Sequence, residues 1–212
     1  MAIPPSNVDA NRREIASAAC ELVADGGLDS VSMRRIAKHL GATTGYISHY
    51  YADKEDLLEA ALRAALSELT AGSAPRSTTL EEWIDNAVLT LPHNVDTQRF
   101  WRILTAFQSA SLNNARLAQI LRDYVVEQIS ALTDHLAVTL GSTPPEHEVT
   151  ALARSLFAVV SGLGTTSTIT PDAFTTAQLR TIVRSSVCGL LDEFASRHAG
   201  IDPAPGGPTP PA

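Results

Sequence analysis

With 212 residues the chain is long enough to bury a substantial core, as one large domain or as a small one joined to a larger one. Its formal net charge of -7 excludes a protein that coats nucleic acid through bulk positive charge and leaves room only for a local contact surface. Its two cysteines, Cys20 and Cys188, sit far apart on apolar helical patterns and read as buried thiols in a reducing cytosol, not as a disulfide or metal pair.

"MAIPPSNV" opens the chain and "AGIDPAPGGPTPPA" closes it; both are rich in Pro or Gly with little to bury, so residues 1–8 and 199–212 are expected to be disordered tails. No charged-then-apolar leader is visible, and no apolar run approaches the roughly 20 residues of a membrane span, which predicts a soluble, cytoplasmic protein. Elsewhere abundant Ala and Leu, with apolar residues recurring at three and four, predict an all-α fold.

A first helix is expected from about Asn11 to Asp25, with Ile15, Ala19, Leu22 and Val23 on one face and Gly26-Gly27 as its stop. Ser32 is placed to cap a second helix carrying Met33, Ile36, Ala37 and Leu40, and Gly41 ends it. Thr43 then caps a very short third helix, and Asp53 a fourth with the stripe Leu58, Ala61, Leu62, Ala65 and Leu69. "GAT" joins the second and third as a helix-turn-helix, because a short turn containing Gly sets two helices at the steep angle of that motif.

The third helix, "TTGYISHYY", holds three of the chain's four tyrosines. On a helical wheel Ile47 and Tyr51 face inward, towards Ile36 and Leu40, while Gly45, Tyr46 and His49 face outward. A bare Gly45 permits close approach, and Ser, Thr, Tyr and His side chains reach phosphate oxygens or base edges. Lys54 opposes the dipole of the fourth helix, which predicts an anion such as a DNA phosphate at that helix start; Arg34, Arg35 and Lys38 supply further local positive charge. The plainer readings are that Tyr50 and Tyr51 pack with wet hydroxyls and that Arg35 and Lys38 form a solvated face. His49 has no acid, nucleophile or Gly-rich loop beside it to make it a catalytic base.

"TAGSAPRST" (70–78) separates these short helices from longer ones; the DNA-binding head is expected over residues 9–52, and the helical body over 53–198 takes in the fourth helix. The body is expected to hold helices over about Leu80 to Leu91, Asp96 to Leu112, Asn113 to Leu140, Glu146 to Ile169 and Thr175 to His198. Leu152, Leu156, Val159, Val160 and Leu163 on the first of the last pair, with Ile182, Val183, Leu190, Leu191 and Phe194 on the second, offer more apolar face than one core absorbs. They predict a four-helix homodimer interface. Trp83, Trp101, Leu104, Phe107, Tyr124 and Phe157 are candidates to line a cavity, with Gln108, Ser111 and Thr165 orienting a ligand, although plain core packing is the commoner fate of each. Two tryptophans are available for an aromatic cage around a choline-type cation. Gly162 and Gly164 inside a helical pattern predict a close helix contact or a kink.

"SMRRIAKHLGATTGYISHYYADKEDLLEAAL" resembles the DNA-binding signature of the TetR family of bacterial transcriptional regulators, and "TGYISHYYADKEDLLEA" is most similar to its BetI-like, choline-responsive branch; the likeness is specific over residues 10–66. It implies that Arg34, Thr44, Gly45, Tyr46 and His49 face the major groove and that Thr43, Ser48, Tyr50 and Lys54 make phosphate or mixed contacts. Ser48 stands where many members carry tyrosine, which shifts that phosphate contact towards Tyr46. It also implies a three-helix N-terminal head and a helical effector-binding and dimerisation domain. The expected activity is that of a repressor on a near-palindromic operator, released by a small-molecule effector, with no cofactor and no membrane partner. An α-helical bundle enzyme or metal carrier is the alternative, but neither Glu-x-x-His nor His-Glu-x-x-His occurs. A DNA-architectural protein fits poorly with the acidic charge and the large second part.

Overall fold

A computed structural model describes residues 7–72, 80–140 and 144–198, and the regular structure among them is helical throughout. Helix α1 (Asn7–Gly26) begins four residues before the expected start, so Asn7 and Val8 belong to a helix, with Asp9 in a first turn whose dipole favours an acid. The rest of the two expected tails lies outside the described residues. Gly27, at φ 69°, ends α1, and a 3₁₀ turn that periodicity did not foretell follows over Leu28–Ser30. There the buried Ser30 hydroxyl donates to the Leu22 carbonyl at 2.6 Å.

Ser32 caps α2 (Met33–His39) by accepting the Arg35 N–H. Gly41, at φ 64°, closes that helix, and the Ala42 N–H returns to the Ala37 carbonyl at 2.8 Å in the Schellman pattern. Thr43 accepts the Tyr46 N–H and starts α3 (Thr44–Tyr50). At the start of α4 (Lys54–Gly72) two carboxylates serve: Asp53 accepts the Asp56 N–H at 2.8 Å, and Asp56 accepts the Ala52 N–H at 3.1 Å. Residues 73–79, which include most of the expected dividing segment, lie outside the described residues.

The body comprises α5 (Leu80–Thr90), α6 (Val95–Ser111), α7 (Ala115–Leu140), α8 (Glu146–Ile169) and α9 (Thr176–His198), each within two residues of its expected limits. Asn94 and Thr97 form a capping box at α6, and the Asn114 side chain accepts from Arg116 and Leu117 at α7. Arg180–Asp85 and Arg184–Glu81 ion pairs link α9 to α5. They are solvent-accessible and worth little, so buried side chains such as Ile84 and Val183 carry that contact. One contiguous set of buried residues runs from Ile15 to Phe194, and α4 packs both on α1 and on α6 and α7, so head and body share a core.

One helix bears on the expected lack of a membrane span. By length and composition α8 could cross a membrane, with a window of mean hydropathy 1.3. Its Gly, Ser and Thr residues break every unbroken apolar run, so inspection by runs misses it. The helix packs on α6, α7 and α9, which accounts for its apolar side, but only 28% of that window is buried within the single chain.

Candidate nucleic-acid interface and ligand cavity

Two side chains set the orientation of α3. Ile47 and Tyr51 are 0% and 1% exposed, whereas Thr44, Gly45, Ser48 and His49 are exposed. The Tyr51 hydroxyl donates to the Arg12 carbonyl at 2.8 Å, and the Arg12 guanidinium lies 4.4 Å over the Tyr51 ring while also donating to the Tyr50 carbonyl. Tyr50 is half-buried; its hydroxyl accepts from Asn11 at 2.7 Å, and its ring meets Tyr46 and His49 edge-on. The tyrosine cluster therefore divides by task. Tyr51 closes the core, Tyr50 ties α3 to α1, and Tyr46 stays at the surface edge.

Around this face Arg34, Arg35 and Lys38 are exposed on α2, outside every ion pair found among the described residues, while His39 is occupied by Glu21 at 2.7 Å. Lys54 has a nearer partner than the expected anion: its Nζ donates to the Leu28 carbonyl at 3.0 Å. That bond pins the 3₁₀ turn to α4 and gives a local reason for a cation at an unfavourable end of the helix dipole. Two of the three ammonium donors are left over.

In the body a cavity of about 780 Å³ opens between α6, α7 and α8, a volume typical of small-molecule sites. Trp101, Tyr124 and Phe157 provide its aromatic lining, Leu104, Leu121, Val125 and Val160 its aliphatic lining, and Gln108, Ser111, Gln128 and Ser161 its polar groups. The highly exposed Leu112 and Val126 also line it. Trp101 is fixed twice: its Nε1 donates to the Thr90 carbonyl at 2.7 Å, and its six-membered ring occupies the space above Gly164. A Cβ on Gly164 would lie 2.1 Å from that ring, so this glycine marks a close helix contact; Gly162 faces open space.

A family model described as "Bacterial regulatory proteins, tetR family" matches residues 15–61, and one described as "BetI-type transcriptional repressor, C-terminal" matches residues 81–192. The chain belongs to the tetR family of bacterial regulatory proteins. Two similar curated relatives, both from Chromohalobacter salexigens, are named HTH-type transcriptional regulator BetI 2 and BetI 1. The first is 26% identical over 189 residues, covering 86% of this chain and 89% of the relative; the second is 29% identical over 196 residues, covering 90% and 95%. In fold the chain is similar to a transcriptional regulator from Rhodococcus sp. Rha1, with TM-score 0.76, 22% identity and coverage of 86% and 96%. It is also similar to a regulator from Saccharomonospora viridis solved in complex with choline, with TM-score 0.70, 20% identity and coverage of 84% and 95%.

This TetR-family protein is thus a transcriptional regulator and not an enzyme. Of the nine residues expected in its cavity, Trp101, Leu104, Gln108, Ser111, Tyr124 and Phe157 do line it. Trp83, Phe107 and Thr165 do not: Trp83 stands half-buried on α5, Phe107 is fully buried, and Thr165 is half-buried on α8. Arg122 was missed. It belongs to the α7 stripe Ala118, Leu121, Arg122, Val125 and Gln128, whose helical spacing was legible had a charged residue been admitted to an inward face. Of the residues expected at a dimer interface, Leu152, Leu156, Val183 and Phe194 are buried in the chain's own core, and Val160 lines the cavity. Val159, Leu163, Ile182, Leu190 and Leu191 are half-buried.

Burial pushes the Tyr124 phenol up to about 12, with Glu127 adding to the rise, and pushes the Cys20 thiol up to about 12, assisted by Glu68. Both folded values exceed the ordinary 10.0 and 9.0, so the folded chain holds these protons more tightly than the unfolded one. Their contribution to stability is therefore complete below about pH 9 and is lost as pH rises towards 12. Urea midpoints measured across that range should fall. Tyr124→Phe should flatten the decline above pH 10, and an unchanged slope in that variant would refute the assignment.

Proposed function

We propose that the regulator is a homodimeric, cytoplasmic repressor that reads a near-palindromic operator with the exposed face of α3 and is released by a small molecule in the α6/α7/α8 cavity. One observation carries the reading: with Ile47 and Tyr51 held in the core, α3 presents Thr44, Gly45, Ser48 and His49 to solvent. In this proposal Arg34, Thr44, Gly45, Tyr46 and His49 face the major groove, and Thr43, Ser48, Tyr50 and Lys54 contact the backbone. The two copies of α3 would stand about 34 to 36 Å apart, one turn of DNA.

Two ion-pair junctions support coupling between cavity and head. Arg116, at the start of α7, reaches Glu59 of α4 at 2.5 Å, and α7 goes on to line the cavity with Leu121, Tyr124 and Val125. Glu21 of α1 bridges His39 of α2 at 2.7 Å and Arg99 of α6 at 3.3 Å, two residues before Trp101. A ligand that moves α6 or α7 thus pulls on helices that hold the head. Preferring the released form by about 100-fold would shift the equilibrium by about 2.7 kcal/mol.

The dimer is assigned to the faces of α8 and α9 that the single chain leaves open: Ala151, Ser155, Ala158 and Gly162 on α8, and Thr181, Ser185 and Gly189 on α9, flanked by Val159 and Ile182. Small residues there let helices approach closely. Gly162→Arg meets nothing within 4 Å of its Cβ in the single chain, so the fold should survive. Dimerisation is expected to weaken at least about 100-fold from like charge and bulk at the contact, seen as a monomer by light scattering. A two-half-site duplex selected from random DNA should then lose its binding as well. A persistent Gly162→Arg dimer would refute the interface; a native dimer that selects no such duplex would refute the repressor reading.

A further inference from the structure

Among the described residues, Arg122 is the single charged one that lines the cavity, and none of the others there carries a carboxylate. Three other arginines of the body are ion-paired: Arg116 with Glu59, Arg180 with Asp85 and Arg184 with Glu81. Arg122 instead donates from Nη2 to the neutral amide oxygen of Gln119 at 2.8 Å, and the Gln119 amide nitrogen binds Asp123 at 2.6 Å. Among the described residues, then, an exposed guanidinium with donors to spare borders an otherwise uncharged, largely apolar cavity.

We infer that the ligand is an amphipathic carboxylic acid, its apolar body between Trp101, Leu121, Val125 and Phe157 and its carboxylate received by Arg122. The assignment rests on the reading of this cavity as the effector site. An anion gives up its hydration cheaply only where a charged partner replaces water, and the planar guanidinium fork matches a carboxylate. Because Arg122 is exposed, the acid group stays half-hydrated there while the tail is buried. Tyr124, whose phenol burial keeps protonated, adds a neutral donor.

A quaternary ammonium fits these walls poorly. It would meet the Arg122 charge, while the carboxylates of Asp123 and Glu127 stand beside the cavity but not among the residues that line it. A cage of two tryptophans is also not assembled, since Trp83 is elsewhere and Trp101, only 5% exposed, has its ring seated over Gly164.

The test uses full-length Trp83→Phe protein, in which Trp101 is the remaining tryptophan, titrated with octanoate, octyltrimethylammonium and 1-octanol while its fluorescence is followed. Octanoate should bind about tenfold or more tighter than the cation of equal tail, and Arg122→Gln should weaken octanoate by about 10- to 150-fold while leaving octanol unchanged. Equal or tighter binding of the cation, an octanoate affinity indifferent to Arg122→Gln, or no response to any of the three would overturn the inference. The same ligands are then added to the protein on its selected duplex. If the cation binds and releases the duplex while octanoate does neither, the effector site stands and the acid falls. If octanoate binds through Arg122 without loosening the duplex, the acid stands and the effector reading falls.

Discussion

Tyr51→Ala is expected to cost about 3–5 kcal/mol of unfolding free energy, the range for deleting a fully buried aromatic ring. The ring is 1% exposed, and besides its packing it supplies the hydrogen bond to the Arg12 carbonyl and the surface on which the Arg12 guanidinium rests. Truncation leaves a cavity, an acceptor without its donor and a loosened arginine at one place. Tyr51→Phe separates these contributions: it keeps the ring and removes only the hydroxyl, for an expected loss of about 0.5–1.5 kcal/mol. Urea unfolding followed by circular dichroism gives both values, provided the m-value stays constant. A Tyr51→Ala loss below about 1 kcal/mol would mean that the head does not depend on this side chain.

Gly45→Leu should produce the opposite separation, leaving the fold intact and removing recognition. The nearest atom to a Cβ built there is the Thr43 hydroxyl oxygen, at 3.8 Å, so the side chain has room. Replacing this first-turn glycine with a good helix former should not destabilise α3, any gain staying below the roughly 1 kcal/mol of a helix interior. On DNA the leucine would hold the backbone away from the base edges; losing one good base contact costs about 1–3 kcal/mol, roughly 5- to 150-fold in affinity. Binding to random duplex should change far less, because the exposed cations Arg34, Arg35 and Lys38, which would carry it on the proposed reading, are untouched. Competition between selected and random duplexes at two salt concentrations measures the difference. Unchanged specific affinity would remove α3 from the groove.

Most of the head was legible because its rules are local. Ser32, Thr43 and Asp53 were identified as caps because a short polar side chain beside an apolar repeat has a nearby backbone N–H to satisfy, and Gly41 as a stop because a left-handed turn suits it. The inward placing of Ile47 and Tyr51 followed from helical spacing alone. Lys54 was legible only in part: its sequence position signals conflict with the helix dipole, but one partner that relieves it, the Leu28 carbonyl, lies 26 residues away.

The body was legible as helices but less so as surfaces. Leu152 and Leu156 turn into the chain's own core, while the small residues Ala158 and Gly162 are left facing outward on the same helix. On a helix as apolar as α8, periodicity finds a stripe but does not rank a face of large apolar residues against one of small residues. Likewise Trp83 and Trp101 are equally good cavity candidates by type, and only the packing of α6 against Gly164 brings one of them to the cavity.

The amino-acid order alone therefore determined most helix limits and which face of α3 turns inward, since each depends on neighbours within a turn or two, and its signature over residues 10–66 pointed to the family. The partner of Lys54, the lining of the cavity and the charge of Arg122 beside it were decided by the tertiary structure. Those depend on which helices lie together, and that choice balances apolar burial over the whole chain at once, so no local stretch encodes it.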